Sequence, residues 1–403
     1  MQNLSNDAVF VSACRTPIGK FRGVMSACRP DDLLALVFRE AHTRSGIAED
    51  DIDEAVAGCA NQAGEDNRNV ARMALLLAGL PQKIPAATVN RLCASGLEAI
   101  VQAARAIRSK DAQVMLVGGV ESMSRAPWIM GKPEIAYPSG TPNIFDSAIG
   151  WRFPNPKMAE LFPLESMGET AENIAEQFKI SRQEQDEFAL RSHQKATAAW
   201  QKNCFDQEII KVAIPQKKGP ELIVAVDEGP RSDTTLAQLS KLSPAFRKNG
   251  SVTAGNSSTL NDGAAALIMT SREFAHAHGL NILASFRASG AAGVDPRVMG
   301  IGPIPATKIA LQRAGISIAD IDVIELNEAF AAQSLAVIKE LQLDPERVNQ
   351  RGGAIALGHP LGCSGARLMT TLLHILKDQQ KTFGLVTLCV GVGQGLSVIV
   401  ENE

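Results

Sequence analysis

The sequence predicts an α/β protein made of two similar halves with an insertion between them. Three observations carry that expectation. The first is an internal repeat. Arg44-Ser45-Gly46-Ile47-Ala48-Glu49-Asp50-Asp51-Ile52-Asp53 returns 269 residues later as Arg313-Ala314-Gly315-Ile316-Ser317-Ile318-Ala319-Asp320-Ile321-Asp322, with six of ten positions identical. The same offset carries Ser95-Gly96 onto Ser364-Gly365, and a Gly-rich strand end follows in each half, at Gly118-Gly119 and Gly391-Val392-Gly393. The second is alternation of short apolar runs with amphipathic ones, the pattern of parallel sheets covered by helices. The third is a break in that pattern between Glu121 and Gly250.

In the first half the strands fall near Ala8–Ala13, Asp53–Gly58, Ala86–Asn90 and Gln113–Gly118. The helices fall near Asp31–Arg44, Asn69–Gly79 and Cys93–Ser109. In the second half the strands fall near Ile321–Glu325, Phe383–Cys389 and Leu396–Val400. Its helices fall near Thr307–Ala314, Glu328–Glu340 and Ser364–Lys377. The insertion begins with a stretch rich in Pro, Gly and aromatics, Pro127 to Pro163, expected to be an irregular, packed loop. Ser181-Arg182-Gln183-Glu184 is a capping box, and its helix should run to about Lys202. Thr253 to Thr270 reads as a return to the first half's sheet. The expected units are therefore 1–120 with 251–275, then 121–250, then 276–403.

At 403 residues the chain exceeds one average domain. Its net charge is -3, from 40 basic and 43 acidic residues scattered along the chain, which leaves no nucleic-acid footprint. Seven cysteines without a CxxC pair argue against a disulfide scaffold or a zinc site and fit a reducing compartment. The N-terminus lacks a signal-peptide pattern, no apolar run has membrane-spanning length, and the C-terminus is no peroxisomal tripeptide. The expectation is a cytoplasmic enzyme with no membrane or nucleic-acid partner.

Cys93 is the main candidate for chemistry. It lies in Asn90-Arg91-Leu92-Cys93-Ala94-Ser95-Gly96, where a strand gives way to a helix. Backbone N–H groups at a helix start favour thiolate over thiol and can hold an oxyanion. The plain alternative is a buried small hydrophobe. Two further Gly-rich turns each offer one reactive side chain. These are His359 in Gly352–Gly365 and Cys389 before Gly391-Val392-Gly393-Gln394-Gly395. A cysteine nucleophile needs a base, and reaction at carbon needs a second acid/base.

Four blocks in this order, Asn90 to Gly96, Asn327-Glu328-Ala329-Phe330, Gly358-His359-Pro360 and Cys389 to Gly395, resemble those of the thiolase family. The resemblance runs from about Val9 to Val400. It implies two duplicated mixed-sheet halves that sandwich helices in αβαβα layers, plus an inserted loop domain that covers coenzyme A. By the same resemblance Cys93 is the acyl-accepting nucleophile, His359 its base and Cys389 the second acid/base. Gly391 and Cys93 N–H groups form one oxyanion hole, and Asn327 with His359 the other, through a water. Ser258 resembles the serine that contacts the pantetheine arm, and Arg231 a residue near the adenine end. Coenzyme A is then a substrate, with no metal or redox cofactor, and a homodimer or homotetramer is expected.

Two departures stand out. Thr259 occupies a position where the family commonly has Gly, and Val392 interrupts a Gly triplet. A left-handed backbone at Thr259 would be costly for a β-branched residue. Two more blocks, Gly58 to Asn69 and Ile149-Gly150-Trp151-Arg152-Phe153, resemble thiolases of aromatic degradation, which cleave 3-oxoadipyl-CoA to succinyl-CoA and acetyl-CoA. Arg152 and Arg68 are candidates for the substrate's terminal carboxylate by residue type alone. An acetoacetyl-CoA or general 3-ketoacyl-CoA thiolase is the near alternative. Fatty-acid condensing enzymes share the fold but typically use His and Asn or two His. A non-catalytic acyl-CoA-binding relative would be expected to lose Cys93, His359 or Cys389.

Overall fold

The computed structural model describes residues 7–403; the reading of the N-terminus falls largely on residues 1–6, outside them. In chain order the strands are β1 (Ala8–Arg15), β2 (Gly19–Lys20), β3 (Glu54–Gly58), β4 (Ala86–Val89), β5 (Val114–Ser122), β6 (Trp128–Met130), β7 (Ile144–Asp146), β8 (Val212–Ile214), β9 (Leu222–Val224), β10 (Asn261–Ser271), β11 (Ala284–Gly293), β12 (Val323–Leu326), β13 (Phe383–Val390) and β14 (Gln394–Asn402). The helices are α1 (Pro30–Ser45), α2 (Val70–Leu77), α3 (Ser95–Ser109), α4 (Pro156–Leu161), α5 (Met167–Phe178), α6 (Arg182–Gln201), α7 (Leu236–Leu239), α8 (Arg272–Ala277), α9 (Pro303–Ala314), α10 (Ala331–Leu341), α11 (Ala354–Leu357) and α12 (Leu361–Gln379).

Ten strands join in the order β12-β13-β14-β11-β1-β10-β5-β3-β4, with β2 beside β10. The halves meet at β1 and β11, through Val9 opposite Ser285 and Phe10 opposite Ala284. The expected parallel pairing holds only toward the outer ends, where β3 runs parallel to β4 and β5, and β12 to β13. The centre is antiparallel. Every residue of β1, β5 and β10 is buried. Strands covered on both faces carry no polar alternation, so their direction leaves no mark in the sequence.

Residues alternate between the two faces. Phe10, Met115 and Val386 join α3 and α12 in the central core. Val9 and Val114 face α1 and α2. Ile324 and Leu385 face α9 and α10. The layers are thus helix, sheet, helix, sheet, helix, and α3 and α12 are enclosed in the middle.

The repeat is structural. Gly46 and Gly315 end α1 and α9 with φ of 69° and 71°. Asp53 Oδ2 accepts the N–H groups of Gln113 and Val114, and Asp322 Oδ2 those of Thr382 and Phe383. The enclosed helices cross at glycines. A Cβ on Gly96 would lie 2.9 Å from Ala366 N, and one on Gly365 2.2 Å from Leu97 N. Residues 96 and 97 correspond to 365 and 366, so this is one contact made reciprocally, and only glycine permits it. It brings the N-terminal ends of α3 and α12 side by side.

Between β5 and β10 the chain leaves the sheet. Ser181 caps α6 with the expected capping box, and α5, which was not foreseen, precedes it. The stretch expected to be a packed loop is instead largely exposed, with Trp128 at 75% and Tyr137 at 93% exposure. β11 was also unforeseen. It is built from small residues because α9 lies directly on it: a Cβ on Gly290 would meet Ala306 O at 2.2 Å.

Candidate active site

Cys93 does not sit in the first turn of α3 but in a 3-10 turn, Leu92–Ala94, just before it. Leu92 adopts φ 47°, a left-handed conformation that costs about 1–2 kcal/mol. Side chains hold the turn in place. Asn90 Oδ1 accepts Leu92 N–H at 2.8 Å, and its Nδ2 donates to Ala60 O at 2.9 Å. Ser95 Oγ accepts Arg91 N–H at 2.9 Å and donates to Leu92 O at 2.7 Å. Arg91 is tied to Glu98 at 2.8 Å.

Burial pushes the Cys93 thiol up to about 11, against the opposing pull of the Gly391 and Cys93 N–H groups. The expected thiolate bias is thus reversed, because desolvation outweighs the local N–H dipoles. Cys389, at the end of β13, is buried beside Ala171, Met299 and Phe330. Its thiol is held well above the ordinary range by burial and by Cys93. Both sulfurs rest as neutral thiols.

His359 lies in the Gly-rich turn before α12. Its N–H donates to Asn261 Oδ1 at 2.9 Å, and a Cβ on Gly358 would strike that asparagine. Ser364 Oγ donates to Pro360 O at 2.8 Å and sits 2.6 Å from His359 Nδ1. With its hydrogen given to the carbonyl, the hydroxyl accepts from Nδ1–H. The network thereby assigns the proton to Nδ1 and the lone pair to Nε2. Asn327 Nδ2 lies 3.3 Å from that Nε2, while Asn327 Oδ1 is buried without a protein partner. Burial, then repulsion from Arg367, lowers the imidazole to about 3. It is neutral at physiological pH, and its surroundings disfavour the charged form.

A cavity of about 300 Å³ opens onto Cys93, Gly391, Val392, Leu361, Glu121, Trp151 and Arg152. Leu361 follows His359 by two residues. Glu121 accepts N–H groups from Ala60 at 2.9 Å, Asn61 at 3.1 Å and Gly362 at 2.8 Å, and burial raises its carboxyl to about 7. Neither Glu121 nor Ser364 was singled out as a site residue from sequence. The hint for Ser364 was its position in the first turns of a helix five residues after a histidine. Cys59, Asp66 and Glu121 lie close enough to share a cation. The carboxylates there already bind backbone N–H groups of Gln62, Gly64, Ala60, Asn61 and Gly362, which favours a turn-holding role.

Other candidates lie away from this cavity. Ser258 is half-buried, with its N–H on Ala329 O at 3.0 Å beside the Asn327 loop. Arg231 is exposed, its N–H on His193 Nδ1 at 3.2 Å. Arg68 is exposed and outside the cavity, whereas Arg152 lines it. Glu328 is a buried strut, bonded to Ser192, Asn349 and Ile355 N–H. The strained departure is Val392, at φ 64°; Thr259 is not among the residues with positive φ.

The arrangement offers two thiols, a neutral imidazole whose Nε2 lone pair meets Asn327 Nδ2, and backbone N–H groups of Cys93 and Gly391 at the Cys93 sulfur. That is equipment for acyl transfer through a thioester. Comparison with known proteins agrees. Residues 8–273 match the family described as "Thiolase, N-terminal domain" and residues 280–402 "Thiolase, C-terminal domain". The chain is 53% identical over 399 residues, 98% of its length and 99% of the relative's, to the Escherichia coli 3-oxoadipyl-CoA/3-oxo-5,6-dehydrosuberyl-CoA thiolase. It is 53% identical over the same coverage to the Pseudomonas putida beta-ketoadipyl-CoA thiolase. Among solved structures, a Bacillus anthracis acetyl-CoA acetyltransferase superposes with TM-score 0.94 at 41% identity, covering 100% of both chains. Human mitochondrial 3-ketoacyl-CoA thiolase in complex with CoA gives 0.92 at 38% identity, covering 99% of both. Layered fold, paired thiols and full-length similarity converge, and the chain belongs to the thiolase family.

Proposed function

We propose that the protein cleaves 3-oxoadipyl-CoA with coenzyme A to succinyl-CoA and acetyl-CoA. The observation that carries this is identity of 53% across 98% of the chain to thiolases named for that substrate.

The neutral thiol of Cys93 gives its proton to His359 Nε2, and the thiolate attacks the C3 ketone carbon. The oxyanion forms against the N–H groups of Cys93 and Gly391. The C2–C3 bond then breaks. The electron pair stays on the acetyl-CoA fragment as an enolate, held by His359 and by a water on Asn327, and Cys389 protonates its carbon. Acetyl-CoA leaves, and the succinyl group remains on Cys93. Incoming CoA gives its thiol proton to Cys389 and attacks the acyl carbon, and Cys93 departs to recover its proton from His359. Coenzyme A is a substrate throughout, and the scheme has no metal or redox step.

Residues 121–250 cover the coenzyme in this reading, with Ser258 on the pantetheine arm and Arg231 near the adenine. The enzyme is a cytoplasmic homodimer or homotetramer. The edge strand β4 and the exposed apolar side chains of Trp128, Ile135, Tyr137 and Ile144 support assembly.

The test is thiolysis of 3-oxoadipyl-CoA and acetoacetyl-CoA side by side, with Cys93→Ser as control. The expected result is a large preference for 3-oxoadipyl-CoA and loss of at least about 10³-fold in the variant. A preference for acetoacetyl-CoA would retain the mechanism and reject the substrate.

A further inference from the structure

We propose that Arg152 is the specificity residue that binds the free carboxylate at the far end of the acyl chain while the acyl carbon is bonded to Cys93. This rests on the reading above that the substrate is a 3-oxo dicarboxylic thioester.

Arg152 and Cys93 line one cavity of about 300 Å³, and Arg152 is the only basic side chain among the described residues that line it. The walls between are largely apolar and include Met123, Ile149 and Met167. An aliphatic chain that ends in one anion suits such a lining. The guanidinium is built in place. One Nη donates to Ser147 O at 2.6 Å and the other to Asn61 O at 3.1 Å. Both acceptors are neutral carbonyls, so the positive charge is anchored but not neutralised. Two bonds also leave part of the five-donor fork free. No carboxylate among the described residues forms an ion pair with Arg152. The acids that share the cavity are engaged elsewhere: Glu165 with Arg297 at 3.3 Å, Glu121 with three backbone N–H groups. Most other arginines near the site, such as Arg91 and Arg125, already have carboxylate partners. In a succinyl group on Cys93 the terminal carboxylate carbon reaches about 5 Å from Sγ when extended. A fork–fork pair with a carboxylate then rewards the diacid and leaves an unpaired cation facing a methyl-ended chain.

The experiment compares kcat/KM for 3-oxoadipyl-CoA and 3-oxohexanoyl-CoA, equal in carbon number but ending in a methyl group. The wild type is expected to prefer the diacid. Arg152→Gln should reduce that preference ratio by about 10- to 100-fold. Arg152→Lys keeps the charge without the fork and should lie between. It also covers the case in which the glutamine variant fails to fold, since Arg152 also fastens two loops. A wild-type preference that persists in Arg152→Gln, or in full in Arg152→Lys when only that variant folds, overturns the proposal. A wild type without preference rejects the substrate reading instead.

Discussion

Ser95 and Ser364 occupy the same place in the two halves yet hold different things. In the first half the hydroxyl clamps the Leu92 carbonyl and fixes the turn that presents Cys93. In the second it clamps the Pro360 carbonyl and takes the His359 ring as its partner. The frame around them is shared, down to the aspartates that bracket each sheet and the glycines at which the buried helices cross. Duplication supplied two helix ends at one seam. The few residues before each helix differ, and in the proposed mechanism one end presents the nucleophile Cys93 and the other the base His359.

The largest effect that sharpens this contrast is the pH dependence of the free enzyme. The Cys93 thiol is raised from 9.0 to about 11, so the protonated form dominates below that value. Alkylation of Cys93 by iodoacetamide should therefore rise by about tenfold per pH unit from neutral pH to about pH 10. A plateau by pH 7 would show a thiolate already formed and would break the account of the first half.

Next comes the serine pair itself. Ser364→Ala should lower thiolysis about 10-fold and shift the pH–rate profile, because it frees the imidazole to change tautomer. Ser364→Thr should restore much of it. Ser95→Ala should instead cost roughly 1 kcal/mol of stability, read as a lower Tm, with a smaller effect on rate. Equal effects on rate from both serines would erase the division of labour.

The smallest effect concerns Val392. Its left-handed backbone costs about 1–2 kcal/mol, and glycine there would lose part of that gain to chain entropy, about 0.5–1 kcal/mol. Val392→Gly should thus stabilise the protein by up to about 1.5 kcal/mol in denaturant unfolding. A marked loss of stability would mean that the side chain's contacts outweigh the strain.

The sequence made the duplication legible because caps, turns and tight crossings depend on single residues such as Gly46, Asp53 and Gly96. It also marked the candidate reacting groups, since Cys93, His359 and Cys389 each sit in a Gly-rich or polar turn. Strand direction was hidden in β10 and β1, where burial on both faces removes the alternating signal. β11 was hidden because α9 demands small residues there, which resemble a loop. The strain was misplaced at Thr259 because backbone angles depend on how the turn closes. The protonation states were misjudged for the same kind of reason. Helix-end dipoles can be read along the chain, but the desolvation that overrides them arises only when α3 and α12 are enclosed between the two halves of the sheet.

The most direct test of the central claim is mass spectrometry of the Cys93 peptide after the enzyme is mixed with 3-oxoadipyl-CoA in the absence of free CoA. The account predicts a succinyl group on Cys93 in the wild type, formed about 10²- to 10⁴-fold more slowly in His359→Asn. An acyl group on another residue, or acylation of Cys93 at the wild-type rate in His359→Asn, would contradict it.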